Sequence, residues 1–133
     1  LGERAPENLK EMRRAAERLR ERMTHAGARW VVLKGGHLSH GDAIDLVTDG
    51  DRMIELALPR VDTKNTHGTG CTLSAAIAAL LPQSPDVPTA IRRAKDYLTG
   101  ALAAADRLDV GRGHGPVHHF HALWKTGRMG SEP

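Results

Sequence analysis

The chain has 133 residues, 40% apolar and 26% charged, with a formal net charge of +3 and a single cysteine. That is the size and composition of one globular domain, and Cys71 alone excludes an internal disulfide framework and a four-cysteine zinc site. The small cationic excess, with Trp30, Trp124, Tyr97 and Phe120 as the whole aromatic set, argues against a single-strand nucleic-acid surface, which needs stacking platforms beside its cations.

Residues 7–26 have a helical period. Leu9, Met12, Ala16, Leu19, Met23 and Ala26 recur at spacings of three and four, with charges between them. Pro6 suits the start and Gly27 the stop. Arg13, Arg14, Arg18, Arg20 and Arg22 are read as its solvated side. Trp30-Val31-Val32-Leu33 is a short apolar run before Gly35-Gly36, which predicts a buried strand. A helix, a glycine and an apolar strand suggest an αβ unit of a parallel sheet. Residues 43–48 and 52–58 predict two further strands joined by a turn at Asp49-Gly50-Asp51, with Pro59 ending the second.

Residues 60–70 lack a helical pattern and hold turn-permissive Asn65, Gly68 and Gly70. From Thr69 or Gly70 to Leu81 the chain reads as a helix that is apolar almost all round, which predicts burial. Pro82, Pro85 and Pro88 predict a loop, and residues 87–108 a further helix with Gly100 inside it. Gly111–Pro116 reads as irregular, with a short helix over 119–125 after it. No apolar run approaches the roughly 20 residues needed to cross a membrane. No basic segment followed by an apolar stretch opens the sequence, so a cytoplasmic location is expected.

The segment Asp62-Thr63-Lys64-Asn65-Thr66-His67-Gly68-Thr69-Gly70-Cys71-Thr72 carries the most chemistry. Glycines at 68 and 70 let backbone N–H groups converge, and the helix that follows adds free N–H donors and the positive end of its dipole. Together these make a cradle for a phosphate or a developing phosphoryl charge. No Lys-Ser/Thr pair follows the second glycine, so this is not a Walker A loop. A thiol in the first helical turn lies in a field that favours thiolate. From spacing alone, Cys71 is equally well a base or a small packing residue.

Together with the residues up to Ala78, this segment resembles the anion-hole segment of hydroxymethylpyrimidine and phosphomethylpyrimidine kinases, in the ribokinase-like superfamily. Val32-Leu33-Lys34-Gly35-Gly36-His37-Leu38 resembles the nucleotide-side strand and loop of that family. Ala43-Ile44-Asp45-Leu46 resembles the next strand, and Gly113-His114-Gly115-Pro116-Val117-His118-His119-Phe120-His121 the C-terminal tail. The resemblance implies an α/β, ribokinase-like fold: a parallel sheet flanked by helices, with a short β-hairpin. Residues 1–133 are expected to be a single α/β unit matching the C-terminal half of it.

The resemblance also implies roles. Gly68, Thr69, Gly70 and Cys71 are expected to form the anion hole, with Cys71 where most of the superfamily places an aspartate base. Gly70 and Cys71 are expected to approach the substrate's hydroxymethyl group. Lys34, Gly35, Gly36, His37 and Leu38 are expected to line the ATP site, with Asp45 nearby, and a bulky residue at Gly36 to weaken nucleotide binding. Asp45 is either a ribose or metal-shell contact or a turn-anchoring carboxylate; Lys34 and His67 are open between phosphate contact and local structure. The implied cofactors are ATP and Mg2+, with no metal held by protein side chains alone. The tail histidines His118, His119 and His121 fit no zinc pattern. The implied substrates are hydroxymethylpyrimidine and its monophosphate, in thiamine diphosphate synthesis.

The expected partners are the small pyrimidine and the missing N-terminal half of the same fold, with a homodimer as a candidate assembly and with neither nucleic acid nor membrane. The alternatives are pyridoxal kinase, which shares the fold, and a non-catalytic nucleotide-binding remnant.

Overall fold

The structure, a computed structural model, describes Gly2 and residues 4–24, 29–36 and 41–124. They group into two compact units. One is built on the chain up to Arg60 with Asp86–Pro88, the other on Val61–Pro85 and the chain from Thr89 onward.

The first unit contains helix α1 (Leu9–Thr24) and strands β1 (Val31–Leu33), β2 (Ala43–Thr48) and β3 (Met53–Leu58). Asn8 starts α1: its Oδ1 accepts the Glu11 backbone N–H at 2.9 Å, satisfying a donor that the helix cannot pair internally. The Glu11 carboxylate accepts the Glu7 N–H at 2.9 Å, and that bond holds its carboxyl below its ordinary value. The apolar stripe of α1 delivers Met12, Ala15 and Ala16 to the interior. Met12, Ala16 and Leu46 form the core, covered by Leu9, Leu33, Ile44 and Met53.

The strands lie in the order β1-β2-β3. Val31 stands opposite Thr48 and Leu33 opposite Leu46; Thr48 stands opposite Met53 and Ala43 opposite Leu58. The expected hairpin is present, and Asp49 organises its turn. Its Oδ1 accepts the backbone N–H of Asp51 at 3.2 Å and of Arg52 at 2.9 Å. The Arg52 guanidinium, 2.8 Å from Oδ2, is the main cause of a carboxyl held below its ordinary value.

Both strand pairs are antiparallel, so the parallel pairing expected of the whole fold is not seen among the described strands. The chain between β1 and β2, residues 34–42, is too short for a parallel crossover, which takes roughly a dozen residues or more. Among the described residues no strand precedes α1, so the helix-strand succession has no parallel mate.

The second unit contains α2 (Thr69–Leu80) and α3 (Val87–Ala103), with 3-10 turns at Leu81–Gln83 and Ala105–Arg107. The helix expected over 87–108 thus ends at Ala103. Pro88 occupies its first turn, where the missing N–H breaks no helical bond. Leu73, Ala94, Leu98, Ala101 and Val117 form the core of this unit, flanked by Ala76, Ile77, Leu80 and Leu102. Gly100 makes room for the tail: a Cβ there would meet His121 Nε2 at 2.5 Å.

Two expectations fail here. The helix expected to be buried, α2, buries Leu73 alone, while Ala75, Ala78 and Ala79 are exposed. Its sequence has no polar side because burial was specified all round, and only one side is covered by this chain. Residues 119–123 form turns rather than a helix. The tail is instead tied to α3, through the His118 N–H to the Ala101 carbonyl at 3.0 Å and the Tyr97 hydroxyl to the His119 carbonyl at 2.8 Å. Gly27, the expected stop of α1, lies outside the described residues. No helix among them is long and apolar enough to cross a membrane.

Leu46 is fully buried in the first core. Leu46→Ala should cost about 2–5 kcal/mol in chemical denaturation; a cost near zero would remove this residue from the core.

Candidate functional site

Gly68 leads into α2 with φ 81 and ψ 4. This left-handed conformation suits glycine and disfavours residues with a Cβ. It turns the chain so that α2 begins without a side-chain cap. The Thr72 N–H donates to the Gly68 carbonyl at 2.8 Å, and the Thr69 N–H reaches the Thr66 carbonyl at 3.4 Å. Among the described residues, no acceptor meets the N–H of Gly70 or Cys71. Those two donors lie at the positive end of the helix, where an anion is stabilised.

Cys71 is exposed and its thiol is free. Gly70 is exposed as well, and Gly68 and Thr69 are half-buried. Along one side of α2 runs an open depression of about 790 Å3, lined by Gly68, Cys71, Thr72 and Ala76 of this segment and by Arg93 and Tyr97 of α3. The structure thus brings Gly68, Thr69, Gly70 and Cys71 together as one donor-rich turn beside a cavity.

The nucleotide-side residues belong to the first unit. Asp45, on β2, is 6% exposed, and its Oδ1 accepts the Gly35 N–H at 3.0 Å. That bond is the kind a turn-anchoring carboxylate makes. Gly35 is buried so tightly that a Cβ would run into the Ile44 carbonyl and reach the Met12 methyl at 2.9 Å. Gly36, by contrast, has open space around its Cα, and its carbonyl accepts Arg60 Nη1 at 2.6 Å. Lys34 is exposed just past β1. His37 and Leu38 lie outside the described residues. The two groups of site residues belong to different units.

Sequence reasoning passed over the bracing of the glycine turn. The His67 N–H donates to the Gly115 carbonyl at 3.1 Å, and His67 and Pro116 form a parallel bridge. His114 Nδ1 lies 3.1 Å from the Lys64 carbonyl. The His67 backbone and the His114 ring therefore have local partners. The Gly-His-Gly-Pro stretch, which reads as irregular and as part of the tail motif, carries the available signal.

The model of the phosphomethylpyrimidine kinase family matches residues 1–118. The chain belongs to that family. It is 51% identical over 115 residues to the hydroxymethylpyrimidine/phosphomethylpyrimidine kinase of Rhizobium meliloti, covering 86% of this chain and 42% of the relative. It is 50% identical over 111 residues to the thiamine biosynthesis bifunctional protein ThiED of Geobacter sulfurreducens, covering 84% and 21%. Among solved structures, the ADP complex of Bacillus subtilis pyridoxal kinase is similar with a TM-score of 0.79 and 32% identity, covering 93% of this chain and 45% of that one. This family member therefore has the ribokinase-like α/β fold and spans less than half the length of these relatives.

The local geometry separates the two adjacent glycines. Gly35→Ala should lower the thermal midpoint of this kinase-family chain by several degrees, because the backbone of β2 or Met12 must move. Gly36→Ala should leave the midpoint unchanged. Equal midpoints for the two variants would contradict the close approach at Gly35.

Proposed function

We propose that this chain supplies the phosphoryl-transfer part of a kinase acting on hydroxymethylpyrimidine and then on its monophosphate, in thiamine diphosphate biosynthesis. On this reading residues 1–133 are a portion of one ribokinase-like domain, and the reaction is cytoplasmic. The observation that carries it is the start of α2: two N–H groups without acceptors, presented by Gly70 and Cys71 beside an exposed thiol. Identity of 51% to a kinase named for those two substrates supports the choice of acceptor.

The donor set suits ATP: N–H groups at a helix N-terminus are matched to phosphate oxygens. Mg2+ is commonly held by phosphates, waters and one or two carboxylates. Among the described residues no three metal-ligating side chains converge. Magnesium, carried by the nucleotide phosphates, would supply charge neutralisation at the transferring phosphate. In-line transfer of the γ-phosphoryl group then needs little covalent help from the protein, because its transition state is loose and positioning dominates. The N–H groups of Gly70 and Cys71 bind the equatorial oxygens where charge develops. Cys71 serves as the base that accepts the proton of the substrate hydroxyl. Lys34, Gly35, Gly36, His37 and Leu38 border the nucleotide, and Asp45 shapes that border through Gly35.

Pyridoxal kinase is the second reading, favoured by the similarity to the Bacillus subtilis enzyme at 32% identity. Turnover of each alcohol by a full-length protein carrying this chain separates the two.

Two outcomes are expected. The 133-residue chain alone should phosphorylate neither pyrimidine; turnover near that of a full-length relative would overturn this. In the full-length protein, Cys71→Ala should lower kcat by about 10²–10⁴-fold, with ATP affinity nearly unchanged because the backbone donors remain. Cys71→Asp should retain much of the activity. Full activity of the alanine variant would remove Cys71 from proton transfer, whereas a matching loss of ATP affinity would mean a damaged cradle.

A further inference from the structure

The stem that leads into the glycine turn is held by one buried amide. Asn65 is 6% exposed. Its Nδ2 donates to Asp106 Oδ1 at 2.8 Å and to the Ala105 carbonyl at 3.4 Å. Both neighbours are acceptors only, which fixes the nitrogen side of the amide towards them. The Thr63 hydroxyl donates to the same Asp106 Oδ1 at 2.5 Å and accepts the Asn65 backbone N–H at 3.1 Å. On its other side Asn65 meets Gly115, where a Cβ would collide with Asn65 Oδ1. Two residues further on, the His67 N–H is bonded to the Gly115 carbonyl. The stem is therefore fastened on one side to the turn after α3 and on the other to the tail, and Gly68 follows at once.

We propose that Asn65 is a positioning residue for phosphoryl transfer, its side chain clamped between Asp106 and Gly115 so that the backbone donors of Gly70 and Cys71 keep a fixed place. The inference rests on the kinase reading above. Asn65 touches no reacting atom; it acts through the loop. Placement is the main source of rate in this chemistry, and an error of about 1 Å can cost on the order of 10²-fold. Asn65→Ala removes the amide from between its two neighbours and leaves Asp106 with only the Thr63 hydroxyl of this group. Asp106→Asn keeps a carbonyl oxygen that can accept from both Asn65 and Thr63, so the clamp needs an acceptor at position 106 and not a charge.

The test uses a full-length protein carrying this chain, with two readouts. In steady-state kinetics, Asn65→Ala and Asp106→Ala should each lower kcat by about 10–100-fold, with KM for ATP within about threefold of the parent. Asp106→Asn should keep the parent kcat. In peptide-resolved amide hydrogen exchange, Asn65→Ala should speed exchange over residues 63–71 by about fivefold or more, with β1–β3 unchanged and Asp106→Asn close to the parent. Parent kcat in Asn65→Ala, an Asp106→Asn loss equal to that of Asp106→Ala, or a uniform rise in exchange along the chain would each overturn the proposal. A parent protein that phosphorylates neither pyrimidine nor pyridoxal overturns the kinase reading, and the catalytic role of Asn65 with it. Hydrogen exchange then decides whether the clamp exists at all.

Discussion

A helix cannot satisfy its own first N–H groups, and the second unit is arranged around that constraint. Side-chain caps commonly quench these donors. Here the residue before α2 is Gly68, which has no side chain to fold back, and Gly70 and Cys71 keep their donors open. Such donors need water or an anion, so the turn must stay exposed while its backbone stays fixed. The fixing comes from outside the helix. Thr63 and Asn65 are tied to Asp106, and His67 to Gly115, so that the irregular segments on either side of the turn carry the order that a cap would otherwise supply.

The first unit solves a related problem with burial. A strand end must reverse beside a packed helix, and Gly35 permits it by bringing its backbone against β2 and Met12. Asp45 then takes the Gly35 N–H that the sheet leaves unpaired. A carboxylate that is buried and bonded to backbone is costly to move, which makes it a firm anchor for the residues on that side.

Local pattern made most elements legible. The period of α1, the hairpin around Asp49 and the start of α2 at Thr69 follow from side-chain spacing and turn chemistry, and they appear where the pattern puts them. What could not be read depended on partners distant in sequence. Pairing direction depends on connection length as well as strand pattern, and the described strands pair only across short connections, which allow antiparallel neighbours. The apolarity of α2 is a true signal of burial in a larger fold, but this chain covers only the Leu73 side. At the site, the glycine turn and Cys71 were visible as a motif. Asn65 counted only as a turn residue, because its function lies in contacts with Asp106 and Gly115, some forty and fifty positions away.

The composition of α2 has a further consequence. Its sequence from Thr69 to Leu80 carries no formal charge, and no acidic residue occupies its first turn. The positive end of the helix therefore has no carboxylate of its own on hand to neutralise it. On the kinase reading, dissolved multivalent anions such as sulfate or inorganic phosphate would compete with the nucleotide phosphates for these donors. Phosphate affinity at this turn would then be a property of the buffer as much as of the protein, since dissolved ions both screen the dipole and occupy its donors.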